Sequence, residues 1–553
     1  MPSSGRSRRS GAVLSTRHFG PRTLRKIRPS RAGTAARAGC TEPAPGSSQP
    51  PLTVSRPPRT LPPEPPRVGG FWGRVFPRRD SGGGLPAPAG LGGWLGALAA
   101  RPGLVPAASG LIAFVLIAAS LLLRAQALDL PAYDSAFFEQ VVWNIGHGRG
   151  FSSTFFPADF LGLHFSPLLA LPALLELAWP DGRLLGLLHA AALAATAPAA
   201  FLFFRALLGD RPRADWAAAA LAAPLPFWAA LQQAARAGFH TEALALPALL
   251  LAAWAGLRGR SLLCCGLVLV ALTAREDQAY GAAVVGLLLF FHGPSRRLGS
   301  GLFTAACVWA LAIEMLVMPS LRGGVVSQVD TYYRWLHTAS PLAVFAALLN
   351  PGGWLAFTGM VVSLAALPLL RLRWLALALP PLFADLLSAH HPQPELLFQY
   401  GLPLLLPILV AGGLGARRFL EWQPRRGGSL SRLAIPALAV PALVIGLVTG
   451  PLLRTPPEPA STRQQLLACT ANLPAAAPLA VDDATALPLS ARPVLEMISE
   501  ASPAHFVVVD RQGRVPSYVD VRRRQAVLSR LHAEGRRLMC DEGRFQLWSP
   551  AGG

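Results

Sequence analysis

Between Leu104 and Pro451 one apolar stretch follows another, and many approach the ~20 residues that an α-helix needs to cross ~30 Å of hydrocarbon. Inside lipid, backbone N–H and C=O groups must find partners within the chain, which leaves helices or a closed barrel. A barrel would show short segments of alternating polarity rather than continuous runs. The expected fold class is therefore an all-α polytopic membrane protein. Composition agrees, since 52% of the 553 residues are hydrophobic and only 14% are charged, against roughly a quarter charged in soluble domains.

Spans are expected near Leu104–Leu123, Arg183–Leu208, Asp215–Ala230, Thr241–Leu257, Ser261–Thr273, Gln278–His292, Leu298–Met318, Trp354–Leu370, Trp374–Ser388, Leu396–Gly415 and Leu433–Pro451, about eleven crossings within a membrane domain of residues 101–451. The intervening loops sort by charge. One side collects Arg205, Arg211, Arg213, Arg258, Arg260, Arg296, Arg297, Arg371, Arg373, Arg417, Arg418, Arg425 and Arg426. The other carries acids, histidines and tyrosines, from Asp134 and His164 to His390, His391 and Glu395. Arginine-rich loops belong in the cytoplasm, so the mixed face is expected outside it.

The net charge of +21 resembles a nucleic-acid signal, but residues 1–100 alone hold 16 Arg/Lys against 3 Asp/Glu. No aromatic interleaving or RNA-binding motif accompanies these arginines, so no nucleic-acid partner is expected. Rich in Arg, Pro, Gly and Ser, the stretch reads as a disordered cytoplasmic tail facing the membrane. At the other end, residues 452–553 change character. Short runs such as PLAVDD, HFVVVD and GRFQLW read as strands between helical patterns, which makes a small extracytoplasmic α/β domain. Cys469 and Cys540 both fall there, where an oxidising compartment would allow a disulfide; two buried thiols are the alternative.

The first outer loop, residues 125–182, holds PAYDSAFFEQVVWNIGHGRGFSS. Phe137, Phe138, Val141, Val142 and Ile145 recur at helical spacing, which suits a helix along a membrane surface. Asp134 at its head is either the helix N-cap or the working acid of a membrane enzyme, and the two roles are compatible. Phe160–Trp179, interrupted by prolines, reads as a second interfacial or half-inserted helix.

Three consecutive ionisable residues, Arg275, Glu276 and Asp277, interrupt an apolar helical hairpin. They are a plain solvated turn, or a cation that can hold a phosphate beside carboxylates that can bind a metal or an acceptor hydroxyl. His240 and Glu242 open a span on the same face; His164 and His391 join them there. Each alone is more often structural, but one water-filled site would account for all of them. Tyr332 and Tyr333 are interfacial anchors or line a sugar or lipid site. The chain lacks a Walker A loop, GxSxG and HExxH, so neither an ATPase nor a zinc protease is indicated.

The blocks YDSAFFEQVVWNIGHGRGF, LGLHFSPLLALPALLELAWP, GFHTEALALPALLLAAWAGL and LTAREDQAYGAAVVGLLLF, in this order, resemble the bacterial and archaeal membrane-protein family of domain of unknown function 2079. LLNPGGWLAF, LPPLFADLLS, FQYGLPLLLPILVAG and the tail block around AVDDATALPLSARP are similar to it too. Arg275-Glu276-Asp277 stands where that family usually has a Lys-Glu-Asp-like triplet, and Ser135-Ala136 replaces a more typical Leu-Gly. The family itself looks like the C-type membrane glycosyltransferases (GT-C), whose key acid lies in the first outer loop. By position that implies Asp134 as the catalytic residue. The resemblance further implies the bacterial plasma membrane, a polyprenyl-phosphate sugar donor and an extracytoplasmic acceptor. Arg275, Glu276, Asp277, His240, Glu242, His164 and His391 would then bind substrate, and Asp134 with Glu276 would hold a divalent Mg or Mn ion. The rival expectation is a non-catalytic transporter or scaffold for lipid-linked envelope precursors.

Overall fold

A computed structural model of the chain describes residues 101–130, 132–422, 434–452, 462–498, 502–512 and 521–552. The tail of residues 1–100, Arg425, Arg426 and the proline-rich linker at 453–461 lie outside them. Among the described residues, seven helical stretches are long and apolar enough to cross a bilayer. They are α1 (Leu104–Ala127), α4 (Arg183–Leu208), α5 (Ala214–Ala237), α9 (Arg296–Leu321), α11 (Pro341–Ser363), α12 (Leu367–Leu386) and α13 (Phe398–Trp422). Shorter apolar helices are α6 (Glu242–Leu257), α7 (Ser261–Ala274), α8 (Gln278–His292) and α14 (Pro436–Thr449). A helix of 16 residues such as α6 reaches only ~24 Å, less than the hydrocarbon thickness. That is why seven, rather than the expected eleven, qualify by length.

One expected span is displaced. The Asn-Pro-Gly-Gly run at 350–353 looks like a break, yet Asn350 accepts a hydrogen bond from the Gly353 N–H and restarts the helix. The helical stretch therefore begins at Pro341, capped by Ser340. It ends before Ala365 and Ala366, both at positive φ.

Helix α13 forms the centre, mostly buried by protein, while α9 and α11 are mostly uncovered by protein. Backbones meet closely where residues are small. A Cβ on Gly299 of α9 would come within 2.2 Å of the Phe290 nitrogen on α8, the kind of crossing that membrane helices build with glycine. The two ends of α4 differ in chemistry. Asp181, just before it, binds Arg463 at 3.0 Å, whereas Arg211, just after it, binds Glu421 at 2.6 Å.

Arg463 belongs to α15 (Thr462–Thr470), which opens the C-terminal α/β region. There β1 (Leu479–Val481), β2 (Leu495–Met497), β3 (Phe506–Asp510), β4 (Leu538–Glu542) and β5 (Phe545–Trp548) form one sheet in the order β2-β1-β3-β5-β4. The first three strands are parallel and β5 runs antiparallel to both of its neighbours. Val507 and Val509 bury against α17 (Val521–Ala533) through Val527 and Leu531. Val508, Phe545 and Leu547 face the other way, into the core that is continuous with the membrane helices. Cys469 and Cys540 form a disulfide tying α15 to β4, with Cα atoms 5.6 Å apart.

Helix α2 (Ala132–Gly146) does not lie open on a bilayer surface as its periodicity predicts. Phe137, Phe138, Val141 and Val142 are buried with Phe160, Leu169, Ala173, Leu185 and Phe239. The lipid-facing role passes to α3 (Ala170–Glu176), where Leu171, Leu174 and Leu175 are exposed. Between α2 and α3 sit Glu139 and Glu176, both fully buried, and among the described residues their oxygens find no hydrogen-bond partner other than each other. Burial and the facing Glu176 push the Glu139 carboxyl well above its usual range, and burial raises Glu176 as well. The fold thus favours the protonated form of the pair. Unfolded, both ionise near their ordinary value of 4.5. Stability is therefore complete below that pH and falls as pH rises through the higher folded values. Glu139→Gln should raise the thermal midpoint at about pH 8 and flatten its pH dependence above about pH 5. Thermal unfolding in detergent across that range checks this; an undiminished slope in the variant would mean that the pair is not its source.

Candidate functional site

The turn from α7 to α8 is where charge enters the bundle. Helix α7 stops at Ala274, Arg275 is extended at φ −165°, and α8 starts at Gln278. Such a turn between apolar helices is buried, so its charges must be met. The Arg275 Nη1 donates to Glu242 at the start of α6. Its Nε donates to Glu276 Oε1 at 3.4 Å and lies 3.7 Å from Asp277 Oδ2. Glu276 also accepts from His164 Nδ1 at 3.0 Å and from the Phe165 backbone N–H at 2.8 Å. Burial would raise the Glu276 carboxyl, but the charge and hydrogen bond of His164, with Arg275 behind them, hold it at about 2. Asp277 goes the other way: burial raises it, Arg275 opposes, and the neighbouring Glu276 adds to the rise. For Arg275, burial works against the charge, and Asp277 and Glu276 more than restore it.

These groups form one wall of a cavity of about 770 Å³. Asp134 projects from the first turn of α2 on another wall. Half of its side-chain surface is open, and it opens onto the cavity. His240 Nε2 stands 3.6 Å from Asp134 Oδ2. Burial pushes the Asp134 carboxyl up, but the nearby His240, then His164 and His390, bring it below its usual value. His240 is itself placed. Its backbone N–H donates to His189 Nδ1 at 3.4 Å, while His189 Nε2 lies 3.0 Å from the Ala234 carbonyl, to which it must donate. Opposite stand Tyr332 of α10 (Gln328–Tyr333), stacked on His390 at 4.9 Å, and Tyr400, edge-on to His390 at 5.8 Å. Apolar residues of α8 and α9, among them Ala283, Ala306 and Ala310, line the part set among the membrane helices, where Glu314 also contributes.

Of the residues singled out in the sequence, Asp134, His164, His240, Arg275, Glu276 and Asp277 line one cavity. Glu242 does not line it, but holds Arg275 from behind and is buried. His391 lies elsewhere, 84% exposed and beside Glu395 at 3.8 Å. The Ala389 N–H donates to the Tyr332 carbonyl and the His390 N–H to Ser388 Oγ, which draws His390 inward and turns its neighbour out. Asp385 of α12, also on the cavity wall, was legible only as the lone acid in an apolar span. Asp134 and Glu276 do not fit a metal pair. The oxygens of Glu276 are already taken by three donors, and among the described residues no three His, Cys, Asp or Glu side chains group closely enough to hold an ion.

Replacing Arg275 by Met strands two buried carboxylates, Glu242 and Glu276, a loss on the order of 3–5 kcal/mol for a broken buried pair. Arg275→Lys should recover only part, since one ammonium cannot reach both carboxylates with a planar fork. Thermal unfolding in detergent measures both; wild-type stability in Arg275→Met would mean that these carboxylates are neutralised elsewhere.

The sequence profile of a family described as Predicted membrane protein (DUF2079) matches residues 124–467, more than half of the chain. No curated protein matches it.

Proposed function

The chain belongs to the DUF2079 family of membrane proteins, and we propose that it transfers a sugar from a polyprenyl-phosphate carrier to an acceptor outside the cytoplasm, on a GT-C-like framework. The observation that carries this is the convergence of the Asp134–His240 pair and the His164–Glu276–Arg275 chain on a single cavity whose other part is apolar and set among membrane helices. A lipid-linked sugar has the same division, with a polar head and a hydrocarbon tail.

Counting α6, α7, α8 and α14 with the seven long stretches gives eleven crossings. With the arginine-rich ends in the cytoplasm, eleven crossings put the N-terminus inside the cell and the cavity and C-terminal domain outside the bacterial plasma membrane. In the reaction, Asp134, kept ionised, takes the proton of an acceptor hydroxyl as its oxygen attacks the anomeric carbon. The bond from that carbon to the phosphate oxygen breaks, with inversion, and polyprenyl phosphate leaves with the electron pair. Its growing charge meets the imidazoles of His164 and His240 and the Nη2 of Arg275, whose Nη1 and Nε are committed to Glu242 and Glu276.

A second reading, a transporter or scaffold for lipid-linked precursors, is favoured by Glu314 and Asp385. Both lie within spanning stretches and line the cavity, and a transport path needs polar groups at membrane depth. Purified protein should transfer or hydrolyse radiolabelled polyprenyl-phosphate sugars. Asp134→Asn should lower turnover by roughly 10²–10⁴-fold, the usual share of a general base, with folding intact. Undiminished turnover would remove Asp134 from the mechanism. A wild type inactive on a broad donor panel, yet able to bind these lipids, would favour transport.

A further inference from the structure

Helix α2 begins at Ala132, and Pro131 precedes it in the sequence. A helix leaves its first N–H groups without intrahelical partners. A Ser, Thr, Asp or Asn just before the helix normally accepts from one of them; proline has no side-chain acceptor. Asp134 does not fill the gap, because it stands inside the first turn and turns toward His240. The acceptor comes instead from about 350 residues away. Asp483, almost fully buried, accepts the backbone N–H of Tyr133. It starts the short helix α16 (Asp483–Ala486) at the carboxyl end of β1, the central strand of the parallel set. Asp482 orients it by accepting the Asp483 N–H at 3.1 Å.

The same domain grips the first loop at other points. The Gln140 Nε2 donates to the Arg492 carbonyl at 3.2 Å. The Thr154 hydroxyl donates to the Leu495 carbonyl and accepts the Leu495 N–H, bonding to the edge strand β2. Leu487 packs so closely on Gly182 that a Cβ there would lie 2.2 Å from its Cδ1.

We propose that Asp483 is a positioning residue, an N-cap supplied by the C-terminal domain to the helix that carries Asp134, so that docking of this domain sets where the carboxylate stands in the cavity. Burial, Asp482 and Asp134 push the Asp483 carboxyl up to about 7, and the Tyr133 N–H opposes that rise. The inference stands whether or not the cavity transfers sugar, since its test reads backbone protection rather than turnover.

The experiment is amide hydrogen exchange on the full chain in nanodiscs, followed in peptides covering residues 132–139. Asp483→Ala should speed exchange there roughly tenfold, in line with the loss of one cap. Asp483→Asn should stay within about twofold of wild type, because an amide oxygen caps as well as a carboxylate. Peptides over β1 and β3 should keep their protection in both, marking a folded domain. Unchanged exchange in Asp483→Ala, or equal loss in both variants, overturns the proposal. Should Asp483→Ala also loosen β1 and β3, the double variant Pro131→Ser/Asp483→Ala decides. Recovered protection at 132–139 through the local serine cap supports the trans cap, and no recovery overturns it.

Discussion

Everything at the cavity depends on how one buried arginine is neutralised. Arg275 sits at a turn between two apolar helices, where an isolated charge would cost several kcal/mol. It is stable there because Glu242, Glu276 and Asp277 come from three positions to meet it. Those contacts also fix the start of α6 against the α7–α8 turn. Through Glu276 they reach His164 and Phe165, in the segment that leads out of the first loop. A single charge requirement thus ties together segments more than a hundred residues apart.

The protein handles its other buried acids differently, and the contrast is informative. Glu276 has cationic partners that favour its ionised form; Glu139 and Glu176 are buried against one another, which favours a proton. Asp134 lies between these extremes. It is open to the cavity, yet His240 holds it on the ionised side. A carboxylate that is charged, reachable and not consumed by a strong ion pair is free to accept a proton from a bound molecule. Glu276, gripped by three donors, is not free in this sense and acts on the wall by keeping Arg275 and His164 in place.

Much of this is legible in the sequence because it follows from local rules. Long apolar runs give the spanning helices, and a cluster of ionisable residues in an apolar hairpin gives the cavity turn. What escapes is set by contacts over long distances. The choice of His390 over His391 rests on a backbone bond to Tyr332, some sixty residues earlier. The apolar face of α2 has the pattern of a membrane-surface helix, but pattern cannot tell lipid from protein as the covering layer. Phe160, Leu169 and Phe239 supply that layer. The Pro before α2 leaves a missing cap that the sequence shows plainly, but the residue that supplies it, Asp483, is found only once the chain is folded. The short helices α6 to α8 read as spans from hydropathy alone, and the sequence does not show that α6 and α8 are largely covered by other helices.

The polar groups of the cavity come mostly from turns, loops and helix ends: Asp134, His164, His240, Arg275 to Asp277, and His390. The apolar part comes from the interiors of α8 and α9. That division follows from membrane physics, since polar side chains are cheap where a helix leaves the bilayer and costly within it. A ligand that fits both parts carries its own polar and apolar halves in the same order. Glu314 and Asp385 are the exceptions, acids placed where lipid would be expected. Their presence means that the polar region reaches further among the helices than a surface site requires.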